Sequence, residues 1–158
     1  MLLIAFGVGV WTSAGRKRLV HVTAGLLVAN AAAGLLGPTF FEMNVRGTGS
    51  PGADVPHIVL TGVLVLFILA AIGVGAFTQQ RWFRFYSFAT LLALLVSGGL
   101  RGFEARQLAS GEPTPWLGVL ERINIGAYLL WVAVLAISLL RSEGLPLTRR
   151  LPMTSVKA

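Results

Sequence analysis

Four long segments of this chain carry no formal charge, and short charged regions separate them. The segments are 16 to 23 residues long and cover residues 19–41, 58–77, 85–100 and 123–140. About 20 apolar residues, in a helix that rises about 1.5 Å per residue, cross a hydrocarbon layer of about 30 Å. Hydrophobic residues make up 55% of the chain and charged residues 12%, against roughly 45–50% and 25% in soluble domains. The pattern therefore predicts four membrane-spanning helices.

The apolar segment at the N-terminus, residues 1–12, is shorter than the other four. A helix of roughly 12–15 residues reaches only about 18–22 Å, which is less than a full crossing. A signal peptide is not expected, because no basic region precedes the apolar stretch and no Ala-x-Ala site follows it. Two interpretations remain: a tilted helix in a thinned bilayer, or a start codon placed too far downstream. We favour the second, in which this span is truncated.

Lysine and arginine are distributed unequally among the regions between the apolar segments. The bends at residues 13–18 and 78–84, together with the tail after residue 140, carry nine of these cations, and the two alternate connections carry three. Cationic connections stay in the cytoplasm under the positive-inside rule. With five helices, this predicts a bacterial plasma-membrane protein with a cytoplasmic C-terminus. The same rule accounts for the net charge of +7, so no nucleic-acid partner is expected.

These observations predict an all-α fold, a polytopic transmembrane helix bundle with four full spans and one short N-terminal span. The predicted helices cover residues 1–12, 19–36, 57–77, 82–100 and 115–141, within a single domain at residues 1–141. Thr114 is the expected N-cap of the last helix, with Pro115 in the first turn. Residues 142–158 are expected to form a disordered basic cytoplasmic tail that lies against anionic lipid.

Polar residues inside the predicted spans recur at helical spacing, so they share one face of each helix. The faces are Thr23, Asn30, Gly34 and Gly37 on the second helix, Ser87, Thr90, Ser97 and Arg101 on the fourth, and Glu121, Asn124, Tyr128 and Trp131 on the fifth. Because lipid tolerates polar groups poorly, we expect the three faces to meet inside the bundle. Interhelical hydrogen bonding is the simplest explanation. The alternative is a path or cavity for a solute.

A second polar cluster is predicted at the extracellular ends of the helices. Its candidate site residues are His57, Arg101, Glu104, Glu121, Arg122 and Asn124, with Glu42 and Asp54 in the first long connection. Glu121 is expected at a depth of about 10 Å, where a buried carboxylate needs a partner, Arg101 first and His57 second. Such a pocket suits an anionic head group or acid–base chemistry. Salt bridges that lock helix ends to loops explain the same residues.

Metal and cofactor sites are not expected from this sequence. The chain has no cysteine, which removes thiolate ligands and thiol nucleophiles. The histidines, His21 and His57, open helices at opposite faces of the membrane, so they cannot ligate one metal or one haem. Walker, Rossmann and Gly-x-Ser-x-Gly motifs do not occur.

Several short motifs resemble a known family. They are TPWLG at residues 114–118, ERIN at residues 121–124, RFYS at residues 84–87, and His57 opening a helix after a polar loop. In these motifs the chain resembles the bacterial membrane proteins collected as domain of unknown function 998, over roughly residues 2–141. Members typically have six helices, so this chain departs by lacking most of the first. The resemblance implies no established activity, and no catalytic residue is carried over from it.

Three functional hypotheses follow. The first is a non-enzymatic membrane module with a polar outward-facing pocket that binds membrane lipid, a partner membrane protein or a second copy of the chain. The second is a small permease with a polar path between helices two, four and five. The third is an intramembrane acid–base enzyme that uses Glu121, His57 and the outer arginines.

Overall fold

The computed structural model describes residues 1–40, 55–109 and 113–143, and it contains five helices in that part of the chain. They are α1 (Leu2–Ser13), α2 (Arg18–Phe40), α3 (Val55–Gly75), α4 (Arg81–Ala109) and α5 (Leu117–Glu143). The last four are long and apolar enough to cross a membrane, and α1 is a shorter apolar helix of 12 residues. The structure therefore confirms the predicted all-helical transmembrane bundle.

Two tight bends fold neighbouring helices back on each other. The bend between α1 and α2 contains Gly15 with φ of 56°, a left-handed conformation that glycine adopts without steric cost. At the bend between α3 and α4, the hydroxyl of Thr78 donates to the carbonyl of Gly75 at 2.7 Å. Arg84 then lies 4.7 Å from the centre of the Phe77 ring, a cation–π contact that closes this bend.

The bends divide the bundle into two ends. The cationic end comprises the α1–α2 bend, the α3–α4 bend and the C-terminus of α5, and the opposite end comprises the C-terminus of α4 and the N-termini of α3 and α5. The largest fully buried side chains include Ile72, Phe83, Trp131 and Leu135, which lie in the half toward the cationic end. The core is therefore concentrated there, and α4 packs extensively against α5 but less against α3.

Helix boundaries differ from the prediction at both ends of the α4–α5 connection. Helix α4 continues to Ala109, because residues 101–109 are polar but rich in strong helix formers. Helix α5 begins at Leu117, after a turn that contains Pro115, and the carbonyl of Trp116 accepts the first helical hydrogen bond from Leu120 at 2.9 Å. The predicted start at residue 115 is therefore wrong by two residues.

The predicted tail overlaps the last helix. Helix α5 extends through Glu143, so residues 142 and 143 are helical and not part of a disordered tail. The remainder of that tail, residues 144–158, lies outside the described residues. The same is true of Glu42 and Asp54 in the connection between α2 and α3.

Candidate functional site

Asn30 on the polar face of α2 meets Tyr128 on the polar face of α5 inside the bundle, as predicted, whereas Gly34 on the same face of α2 is exposed. The hydroxyl of Tyr128 donates to Oδ1 of Asn30 at 3.2 Å, and Nδ2 of Asn30 donates to the carbonyl of Leu64 in α3 at 3.1 Å. Asn30 and Tyr128 are both buried. One asparagine therefore joins three helices through one donated and one accepted hydrogen bond inside the protein.

Trp131 forms the corresponding contact between α5 and α4. Its indole Nε1 donates to Oγ of Ser87 at 2.9 Å, and both residues are fully buried. The indole packs beside Phe83 with ring centres 5.9 Å apart and against the backbone of Gly75, where an added Cβ would lie 2.7 Å from the indole. Trp131 is therefore a packing residue that fills the space between α3, α4 and α5.

The remaining hydroxyls on the inner face of α4 bond to their own helix. Thr90 donates to the carbonyl of Tyr86 at 3.0 Å, and Ser97 donates to the carbonyl of Ala93 at 2.6 Å. Both are buried, so the predicted inward direction of this face is correct. Their hydroxyl hydrogens are used within α4 and do not bond to a neighbouring helix.

The predicted pair of Arg101 and Glu121 is present, but it is not buried. Nη2 of Arg101 lies 3.4 Å from Oε1 of Glu121, and the two side chains are 37% and 49% exposed. The prediction of Arg101 as the partner is therefore correct, and the expectation that Glu121 is a buried structural acid is wrong.

Other predicted site residues bond locally. Nη1 of Arg122 donates to the carbonyl of Gly118 at 3.0 Å, and Nδ2 of Asn124 donates to the carbonyl of Leu120 at 3.0 Å. Both acceptors belong to α5 itself, so these two side chains do not join the Arg101–Glu121 pair through those bonds. His57 is partly buried in the first turn of α3.

Glu104 is the most unusual member of the predicted cluster. Its side chain is 8% exposed, and Oε2 is buried with no hydrogen-bond partner among the described residues. Glu104 borders a cavity of about 480 Å³ between α4 and α5 at the opposite end of the bundle. We call this cavity the α4–α5 groove, and the rest of its lining is apolar or aromatic: Leu100, Phe103, Trp116, Val119, Leu120 and Ile123.

Sequence reasoning identified Glu104 but not the apolar lining of the groove. The lining positions do recur at helical spacing in the sequence. They are residues 100, 103 and 104 on α4, residue 116 just before α5, and residues 119, 120 and 123 on α5. In a membrane helix such a pattern is uninformative, because the lipid-facing surface is also apolar. Only the packing of α4 against α5 shows that the two sets border one cavity.

A smaller and more polar cavity lies at the cationic end. It measures about 250 Å³, and its lining consists of Gln79, Gln80, Trp82, Ser138, Arg141 and Ser142. The two histidines lie at opposite ends of the bundle, with His21 edge-on to the Trp11 ring at the cationic end. Within the described residues, no three His, Cys, Asp or Glu side chains come together as a metal site would require.

Comparison with known proteins identifies a family. The chain matches the family described as protein of unknown function (DUF998) over residues 1–138. No curated protein and no solved structure matches the chain.

Proposed function

This chain belongs to the DUF998 family of proteins of unknown function, and we propose that it is a non-enzymatic membrane module that binds a membrane lipid in the α4–α5 groove. The four long apolar helices make it a membrane protein. The observation that carries the proposal is the groove itself, a cavity of about 480 Å³ with apolar walls and one buried acid.

We infer that a lipid has direct access to the groove. Its lining residues Phe103 and Trp116 are more than half exposed, and in a bilayer such side chains meet acyl chains. The uncharged segment of α4 ends at Leu100, and α5 begins at Leu117. The groove therefore lies at the level where a lipid head group joins its chains, a level that tryptophan also favours.

The distribution of cations supports a location in the outer leaflet of a bacterial plasma membrane. The two bends at the cationic end and the region after residue 140 carry nine Lys and Arg residues, against three in the two connections at the other end. Under the positive-inside rule, the cationic end and the C-terminus are cytoplasmic. The α4–α5 groove then faces the extracellular side.

The bonding of the inner polar residues favours binding over transport or catalysis. A permease path needs polar groups that exchange partners with a solute, whereas Asn30, Tyr128, Ser87 and Trp131 bond to one another. The acid–base enzyme predicted from the sequence would use Glu121 as a catalytic group, whereas the Glu121 carboxylate is paired with Arg101. Glu104 remains as an acidic group that borders a cavity.

Photocrosslinking in native membranes tests the proposal. Benzoylphenylalanine at Phe103, which lines the groove, is expected to yield a discrete lipid adduct by mass spectrometry of the purified protein. Phe85 is a matched control, because it also lies on α4, is also exposed, and does not line the groove. The two positions are 18 residues apart, so they project in about the same direction from the helix at about 100° per residue.

A several-fold higher yield of lipid adduct at position 103 than at position 85 supports a bound lipid. Equal yields at the two positions would show only the surrounding bilayer and would contradict the proposal. Adducts of protein mass at position 103 would also contradict it, and would assign the groove to a partner membrane protein or to a second copy of the chain.

A further inference from the structure

The α4–α5 groove contains one strong hydrogen-bond acceptor in an otherwise apolar wall. Oε2 of Glu104 is buried without a partner among the described residues, and the residues that share the lining are Leu, Phe, Trp, Val and Ile side chains. Burial of a polar group without a partner is costly, and burial of a carboxylate is more so. A ligand that pairs with this oxygen removes that cost, whereas a purely apolar ligand leaves it in place.

We propose that the groove selects a lipid that carries an ammonium head group, which binds to Oε2 of Glu104. This inference rests on the proposed function and names the class of lipid. An ionised carboxylate only accepts hydrogen bonds, and a primary ammonium has three donors. The resulting bond is charge-assisted and therefore stronger than a neutral one.

Other lining residues suit the same ligand. Trp116 borders the groove one residue before α5 begins, and the face of an indole ring attracts cations. Leu100, Phe103 and Ile123 supply apolar contact for an acyl chain. The groove therefore offers complementary surfaces to both the head group and the acyl chain of such a lipid.

The nearby arginines whose side chains the structure describes do not favour an anionic head group at this carboxylate. Arg101 is paired with Glu121, and Arg122 donates to the carbonyl of Gly118 on its own helix. Neither arginine lines the groove. The head group that we infer is thus opposite in charge to the one that the sequence alone suggested.

Native mass spectrometry of the purified full chain in detergent tests the inference. The probes are phosphatidylethanolamine, phosphatidylglycerol and diacylglycerol with identical acyl chains, added in equal amounts. The wild type is expected to bind the ethanolamine lipid most tightly, and Glu104→Gln should weaken that binding by roughly ten- to a hundredfold, as expected for a charged hydrogen bond. Binding of diacylglycerol should change little.

Two variants serve as controls. Glu121→Gln removes the same charge from the same end of the bundle, but Glu121 does not line the groove, so head-group preference should persist. Val119→Trp places a large side chain in the groove and should reduce binding of all three lipids. Thermal unfolding of each variant verifies that the bundle is intact before lipid binding is compared.

The outcomes separate the two proposals. If the wild type binds all three lipids equally and Val119→Trp abolishes that binding, the groove holds lipid but the ammonium assignment is wrong. If Glu121→Gln removes the preference as strongly as Glu104→Gln, general electrostatics explains it and the assignment is also wrong. If Val119→Trp has no effect on any lipid, the proposed function itself fails.

Discussion

Replacement of Trp131 by alanine is expected to lower the free energy of unfolding by about 3–5 kcal/mol, the range for large-to-small changes of buried aromatic residues. The indole is fully buried, bonds to Ser87 and packs beside Phe83 and Gly75. Alanine would leave a cavity among three helices and an unpaired hydroxyl. Unfolding by SDS titration in mixed micelles, followed by circular dichroism, measures the loss.

Two substitutions divide this loss into its parts. Trp131→Phe keeps an aromatic ring but removes the donor to Ser87, so it should cost about 1–3 kcal/mol. Ser87→Ala removes the acceptor instead and leaves the indole N–H unpaired, with a cost in the same range. A loss below about 0.5 kcal/mol for Trp131→Ala, which is the level of surface substitutions, would show that the core is not centred on this residue.

Substitution of Gly75 by alanine is expected to destabilise the bundle by about 1–3 kcal/mol through overpacking. An added Cβ would lie 2.7 Å from Cζ2 and 2.8 Å from Cη2 of Trp131, and 3.4 Å from Cγ2 of Thr23. The indole is buried on all sides, so it has little room to shift. The change should be read by the same SDS titration.

Gly73 provides a matched control for this prediction. It lies two residues earlier on α3, and a Cβ there would meet nothing within 4 Å. Gly73→Ala should therefore be neutral or stabilising by up to about 1 kcal/mol, the difference in helix propensity. In a Trp131→Ala background the clash disappears, so Gly75→Ala should become nearly neutral. Strictly additive losses of the two substitutions would contradict a direct contact.

Helical periodicity predicted the inner polar residues well, because polar side chains inside a helix bundle are those that form hydrogen bonds there. Asn30, Ser87, Tyr128 and Trp131 all lie on the faces that the spacing identified, and they bond across helices. Periodicity did not reveal which residue of one helix contacts which residue of another helix. The approach of Gly75 to Trp131 joins positions 56 residues apart, and such a pairing depends on how α3 and α5 cross.

The ends of the spans were harder to predict than the interior. Glu121 precedes Tyr128 by seven residues, and a straight helix drifts by only about 20° over that distance, so the two share a face. Tyr128 is buried and Glu121 is half exposed, because burial depends on how many helices pack at each level. Spacing along one helix carries no information about the reach of its neighbours. For the same reason, the burial of Glu104 became apparent only from the packing of α4 against α5.

The orientation of the bundle decides which leaflet can supply a lipid to the α4–α5 groove. The wild-type chain has no cysteine, so single substitutions report accessibility without background. Ser13 is the last residue of α1 and Gln79 lies in the α3–α4 bend, both at the cationic end. Ser50 and Ser110 belong to the connections at the other end, outside the described residues. An impermeant maleimide applied to intact cells distinguishes the two sides of the membrane.

We predict that Ser50→Cys and Ser110→Cys are labelled in intact cells. Ser13→Cys and Gln79→Cys should be labelled only after the membrane is permeabilised. This pattern follows from four full crossings with the cationic end in the cytoplasm. The reverse pattern would place the groove in the inner leaflet. Equal labelling of all four positions in intact cells would contradict a membrane-spanning bundle.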